Sequence, residues 1–276
     1  MKARLPLRTV VGCVGLMLLV TVALGAPLLA PHDPLAMRLE DQLQPPNGIH
    51  WLGTDLFGRD VFTRVLYGGR VSLRVGIVSV GIALLPGLII GSLAGFYRRM
   101  LDALLMRFID TMLAFPGLLL ALSIIAVLGP GLTHAMIAIG LAGVPRYARL
   151  VRASVLAVRE MSFVEAAIAT GCKNGHIILR HILPNILGPV VALTALDVGM
   201  AILNASGLSF LGLGAQPPEP EWGLMLSEGR GYLLQAPWMM LAPGLMIFVT
   251  VLTINLFGDG LRDVLDPYAA EQAGAP

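Results

Sequence analysis

Residues 165–185 read EAAIATGCKNGHIILRHILPN, a polar, helix-forming segment set between long apolar spans, and the fold is decided by how it is read. Glu165, Ala166 and Ala167 start a small-residue helical turn. Gly171 to Gly175 holds two glycines and an asparagine suited to a sharp reversal, and His176 to Leu183 resumes helical periodicity, which Pro184 is expected to end. The expectation is two short helices joined by a turn. Lying at a membrane surface, such a loop would let another protein's groove approach the backbone closely across its small residues.

The flanking sequence supplies the membrane. Of the 276 residues, 56% are apolar and only 13% charged, with a mean hydropathy of +0.80; soluble domains carry about 25% charged residues. The first uncharged run, Thr9 to Ala30, forms a helix of ~33 Å at about 1.5 Å per residue, enough for a hydrocarbon core of about 30 Å. A cleavable signal peptide is the competing reading, because residues 1–8 are basic and Ala23 to Ala26 is a small-residue site. The run exceeds the usual signal core of about 7–15 residues, which favours a retained span.

Further apolar runs at about Val75–Phe96, Thr111–Leu128, Ala135–Val144, Leu187–Leu211 and Met239–Phe257 bring the expectation to six spans. The fourth must borrow length past Pro145, placing Arg146, Arg149 and Arg152 on one helical face at the cytoplasmic interface. With the N-terminus inside, 13 of the 19 basic residues are cytoplasmic. Arg38, Arg59, Arg64, Arg70, Arg74 and Arg230 face out, five of them in or beside one long loop where the positive-inside bias is weakest. Both termini and the 165–185 loop are therefore expected inside. The implied organisation is 1–30 (N-terminus and first helix), 31–70 (outer loop), 71–267 (a five-helix core) and 268–276 (tail).

Candidate functional residues follow from this topology. Asp197 sits near the middle of the fifth span, where an uncompensated acid costs about 2.5–3.5 kcal/mol. With Asn204 and Asn255 it is a candidate lining for a polar translocation path, against the simpler reading of a structural hydrogen bond within the bundle. Gly87, Gly91 and Gly95 recur every four residues, a smooth stripe for packing against a neighbouring span or another subunit. Trp51, Trp222 and Trp238 fall near span ends and read as interfacial anchors. The outer segments 32–70 and 214–237 are rich in turn residues and read as ordered loops, either a docking rim or a vestibule seal, with Asp55, Asp60, Glu219 and Glu221 as exposed charges.

Several chemistries are excluded. The only lysines, Lys2 and Lys173, follow Met1 and Cys172, so no Gly-Lys of a nucleotide-binding phosphate loop exists. His32, His50, His134, His176 and His181 form no HExxH pair and there is no CxxC, so spacing assigns no metal site. The serines in or near apolar helices have no interpretable His and acid partners, which speaks against a protease. Cys13 and Cys172 are far apart and no disulfide is expected. Basic residues flank membrane ends, so nucleic acid is a poor partner while lipid is an obligatory one.

Residues 165–185 resemble the EAA loop of bacterial ABC importer permeases: Glu165, Ala166, Ala167, Gly171, Ile182, Leu183, Pro184 and Asn185 all match its pattern. HWLGTDLFGRD at 50–60, SFLGLGAQPP at 209–218 and FGDGLRDVLDP at 257–267 resemble the dipeptide, oligopeptide and nickel branch. Cys172 departs from the more usual alanine. The resemblance implies an all-α, type I importer permease forming half of a pore. Glu165 to His181, with Cys172 and the Pro184–Asn185 ending, would act as the ATPase-coupling element. It further implies a second permease subunit, two ATPase subunits that bind ATP and magnesium in place of this chain, and a periplasmic or lipoprotein solute-binding protein. Peptides are the expected cargo, with nickel or another small solute as the alternative. A proton- or sodium-coupled carrier using Asp197, or a scaffold without transport, are the rivals from other classes.

Overall fold

A computed structural model describes residues 7–265. Lys2, Arg4 and the 268–276 tail, which enter the topology argument, lie outside the described residues, as do Asp266 and Pro267. Among the described residues there is no strand, only an isolated bridge between Thr54 and Asp60. The helices are α1 (Leu7–Leu24), α2 (Ala26–Leu29), α3 (Val61–Tyr97), α4 (Arg99–Leu113), α5 (Gly117–Leu128), α6 (Leu132–Arg159), α7 (Ser162–Ala169), α8 (Asn174–His176), α9 (Leu183–Phe210), α10 (Trp222–Gly229) and α11 (Trp238–Leu265).

Among the described residues, three continuous helices are long and apolar enough to cross a membrane: Val61–Tyr97, Asn174–Phe210 and Trp238–Val264. The segments α4 and α5 make a fourth if taken together. The shorter apolar α1 and the arginine-bearing α6 occupy the places of the first and fourth expected spans. The third expected span, Thr111–Leu128, is corrected: the chain bends by 87° between α4 and α5. Pro116 is the cause, since proline disfavours the helical region for the residue before it and cannot donate to the preceding turn. With 12 residues, α5 reaches only ~18 Å. The amphipathic α4 instead lies against α6, where Asp102 takes a two-pronged hydrogen bond from Arg152 (2.6 and 2.7 Å) and Asp110 accepts from Arg149 at 2.7 Å.

The main helix pair is α3 with α6, and its seam is the glycine stripe. A Cβ added to Gly87 would lie 2.4 Å from the Tyr147 Cβ, one on Gly91 2.6 Å from the Ala148 carbonyl oxygen, and one on Gly95 2.9 Å from the Arg152 carbonyl oxygen. Only glycine lets the two backbones meet at this spacing. On the other side of the molecule α1 packs against α11, with Gly12 facing the Phe257 backbone and Arg8 paired to Asp263.

The outer loops are built differently from their sequence reading. Asp55, Asp60 and Glu221, expected as exposed charges, are all buried, and Glu219 is half-buried. Each buried acid has an internal partner, which offsets part of the cost of burying it. Asp60 caps α3 by accepting the Thr63 N–H at 2.7 Å, and Glu221 caps α10 by accepting from Gly223 and Leu224 at 2.9 Å each. Asp55 accepts from Arg59 Nε at 2.6 Å, while Glu228 accepts from Arg59 at 2.9 Å and from Arg64 at 3.3 Å. Trp222 is likewise no interfacial anchor: it is 1% exposed and donates to the Val65 carbonyl at 2.9 Å. Half-buried Trp238 donates to Thr54, and only Trp51 is broadly exposed.

Candidate functional site

The 165–185 loop lies at one end of the bundle, called the inner end after its expected orientation. Val164 and Ala167 turn one face of α7 into an apolar cluster with Phe96, Val151, Val155, Ile177 and Ile182. Glu165, Ala166 and Gly171 stay exposed. The turn after α7 is a Schellman motif: the Cys172 N–H bonds back to the Ala167 carbonyl (3.1 Å) and the Gly171 N–H to the Ile168 carbonyl (3.0 Å). That motif needs a left-handed residue at Gly171, whose φ is +78°. A Cβ there would meet nothing within 4 Å, so glycine is demanded by backbone conformation and not by crowding within this chain. Half-buried Cys172 packs against the same apolar cluster, the hydrophobic contact that usually accompanies the motif.

The second helix does not end at Pro184, contrary to the sequence expectation. Asn174–Phe210 is one continuous helix, with π-type turns over Ile177–Ile182 directly ahead of the proline. The wider turn removes the clash that a proline ring makes with the carbonyl four residues back. Pro184 thus sits in the opening turn of α9, and Asn185 reaches back to donate to the His181 carbonyl at 2.6 Å. His181 is half-buried, and its ring lies edge-on to that of exposed His176, with 5.6 Å between centroids. The part of the 165–185 segment from Asn174 onward is therefore continuous with a membrane helix. Glu165, Phe163 and Ile168 are exposed on α7, and Leu179 beyond the turn is 69% exposed.

A cavity of about 340 Å³ lies among α3, the α4–α5 elbow, α6 and α9. Asp197 and Asn204 line it, with Tyr147, Arg146, Met200 and Phe115. Arg146 is ion-paired to Asp197, so the acid does not stand uncompensated in the bundle. Arg146 itself is more than half exposed and presents a cation at the cavity. Asn255 does not belong here. It packs beside Gly199, two residues on from Asp197 and therefore roughly 200° round α9, on the opposite face. Sequence reasoning places Arg146 only as a topology signal and misses it as a cavity residue. The signal that could find it is the single acid of the fifth span, which needs a basic partner.

This arrangement, a bundle of long apolar helices carrying a rigid polar elbow on one end and a charged cavity inside, defines a membrane transport subunit. The chain belongs to the family of binding-protein-dependent transport system inner membrane components, whose pattern matches residues 87–270, and it is a multi-pass inner-membrane permease subunit. Residues 9–46 also match the N-terminal transmembrane domain of oligopeptide transport permease C. A dipeptide transport system permease protein of Alkalihalophilus pseudofirmus is 50% identical, covering 94% of this chain and 85% of that protein. A glutathione transport system permease protein of Pectobacterium atrosepticum is 44% identical over 91% and 84%, and a probable D,D-dipeptide permease protein of Escherichia coli 45% over 95% and 88%. Among solved structures, the inward-facing MetNI methionine ABC transporter superposes with a TM-score of 0.62 at 19% identity, covering 74% of this chain and 97% of that one. That likeness establishes the type I importer permease fold.

Proposed function

We propose that this chain forms half of the pore of an ATP-driven peptide importer. It would pair with a second permease subunit and be driven through the 165–185 loop by two ATPase subunits, which bind the nucleotide and magnesium. A solute-binding protein would deliver cargo at the outer face. The observation that carries the reading is the elbow made by α7 and the turn after it: Glu165, Phe163 and Ile168 are exposed on α7, and beyond the turn the chain runs from Asn174 without a break into α9. Apolar surface of that kind at a protein's end marks an interaction site. A groove that grips it can move α9 as a rigid lever between two packings of the bundle, provided it binds the two states unequally.

Peptide cargo is supported by the relatives, whose names specify dipeptide, D,D-dipeptide and glutathione transport. The cavity fits the same class, since Arg146 and Asp197 offer one charge of each sign to a zwitterion. Nickel is less well matched by these findings. The test is uptake into proteoliposomes holding the chain and its partners, with ATP inside and an uncoupler present. Uptake should require ATP and ignore the uncoupler. Asp197→Asn should retain part of the ATP-driven flux with altered affinity; flux that persists without ATP and stops with the uncoupler would overturn the importer reading in favour of a proton-coupled carrier. Orientation has its own check: a reporter active only in the cytoplasm should work when fused after Asn174 and stay silent after Gln216.

A further inference from the structure

We propose that His32, His50 and Asp60 form a binding site for a first-row divalent transition cation at the outer end of the bundle, with zinc as the probe of choice. The proposal is independent of the transport reading. The three residues come from different places. His32 follows α2, His50 lies in the outer loop, and Asp60 is the cap of α3. Such a set has no sequence spacing signature, which is why motif reading passes over it. In the fold, one ligand atom from each lies within 4.8 Å of the others.

The pairwise geometry is close to what a bound cation requires. His50 Nδ1 lies 2.9 Å from one Asp60 oxygen, and His32 Nδ1 lies 3.8 Å from the other. Tetrahedral zinc with bonds of about 2.0–2.1 Å separates its ligand atoms by ~3.3 Å, between those two values. The imidazole rings are 4.9 Å apart at their centroids. His50 and Asp60 are 4% and 3% exposed. The most telling atom is His32 Nδ1, which is buried and has no hydrogen-bond partner. An unpaired buried polar atom costs free energy unless something binds it.

Two imidazoles and one carboxylate select zinc, nickel, copper or iron(II) over calcium and magnesium, which take all-oxygen shells. Three protein ligands leave a fourth position, and a cavity of about 270 Å³ beside them can supply a water. The Asp60 carboxylate is already oriented by the Thr63 N–H, the kind of outer-shell bond that fixes metal ligands. Arg38 and Asp33 also line the cavity, so the rim adds one charge of each sign. The cation would take the place on His50 Nδ1 that the hydrogen bond to Asp60 otherwise occupies, with the imidazole carrying its hydrogen on Nε2. Its structural consequence is a clip between the exit of α2 and the first turn of α3.

The test uses the untagged full-length chain in nanodiscs, with His176→Ala and His181→Ala in every sample so that the inner histidine pair contributes nothing. Cobalt(II) is titrated and followed by its visible absorption, then displaced by zinc, with bound metal counted by mass spectrometry. We expect one cation per chain, a rise in melting temperature on binding, and at least ~10-fold weaker binding in His32→Ala, with Asp33→Asn unchanged. His32 is the partly exposed ligand, so its removal spares the fold; His50→Gln gives a second reading should His32→Ala express poorly. Absence of stoichiometric binding, or equal binding with and without His32→Ala in that double-alanine background, would overturn the site.

Discussion

The two ends of this molecule treat charge in opposite ways. At the outer end, Asp55, Arg59, Asp60, Arg64 and Glu221 are almost fully buried, and each is paired with an opposite charge, a backbone group or a helix terminus. At the inner end, Glu165 and its apolar neighbours on α7 are exposed and satisfy nothing within the chain. The outer loops are a locked cap; the inner loop is an offered surface. The difference teaches that a polar loop in a membrane protein can be polar for two unrelated reasons, internal pairing or external partnership. Only burial separates them.

The largest effect should come from breaking the lock. In Arg59→Ala the Asp55 and Glu228 carboxylates lose the nearer of their two buried arginine partners, and removing one member of a buried pair costs about 3–5 kcal/mol. We expect poor accumulation and a clearly lowered melting temperature in detergent; a wild-type melting curve would mean that the outer cap is not held by this network. At the inner end the same experiment should give the inverse pattern. Glu165→Lys should leave melting nearly unchanged, and Gly171→Val should cost only the ~1–2 kcal/mol of forcing a side chain into a left-handed conformation. Both should abolish substrate-stimulated ATPase activity in the complete complex. Full stimulation by both variants would remove the coupling role from this loop.

The smallest effect is a pH dependence confined to the outer end. Burial pushes the Glu221 carboxyl above its ordinary value, outweighing the Gly223 and Leu224 N–H groups that favour its charged form. A carboxyl raised on folding contributes stability below its unfolded value and loses that contribution as pH climbs through the raised one. Stability should therefore decline modestly as the pH rises from about 4.5 through that range. Glu221→Gln should flatten this slope while keeping an acceptor for the cap. A slope identical to wild type would place the dependence on another group.

Much of the inner site is legible in the amino-acid sequence. Glu165, Gly171 and the turn between two helices follow from propensity and punctuation, since a left-handed glycine after a small-residue helix is a local matter. Pro184 defeats the same reasoning because a proline's effect depends on the turn ahead of it, and the π-type turns over Ile177–Ile182 are invisible in composition. The candidate path residues divide in the same way. Asp197 announces itself by its cost in an apolar span, and Asn204 shares its face at a seven-residue spacing. Asn255 lies on another helix, and which face of α9 it meets is a packing result.

By itself, the sequence determined the membrane character, the order of the helices, the inner elbow and the family, because hydropathy, helical period and local turn chemistry act over a few residues. Only the tertiary structure decided that the third span is bent, that the outer acids and Trp222 are core, that Arg146 answers Asp197, and that His32 and His50 converge on Asp60. Each of these joins residues far apart in the chain. A charge written in a sequence has no sign of its partner until packing supplies one, and burial, which sets the cost of leaving it unpaired, belongs to the folded molecule alone.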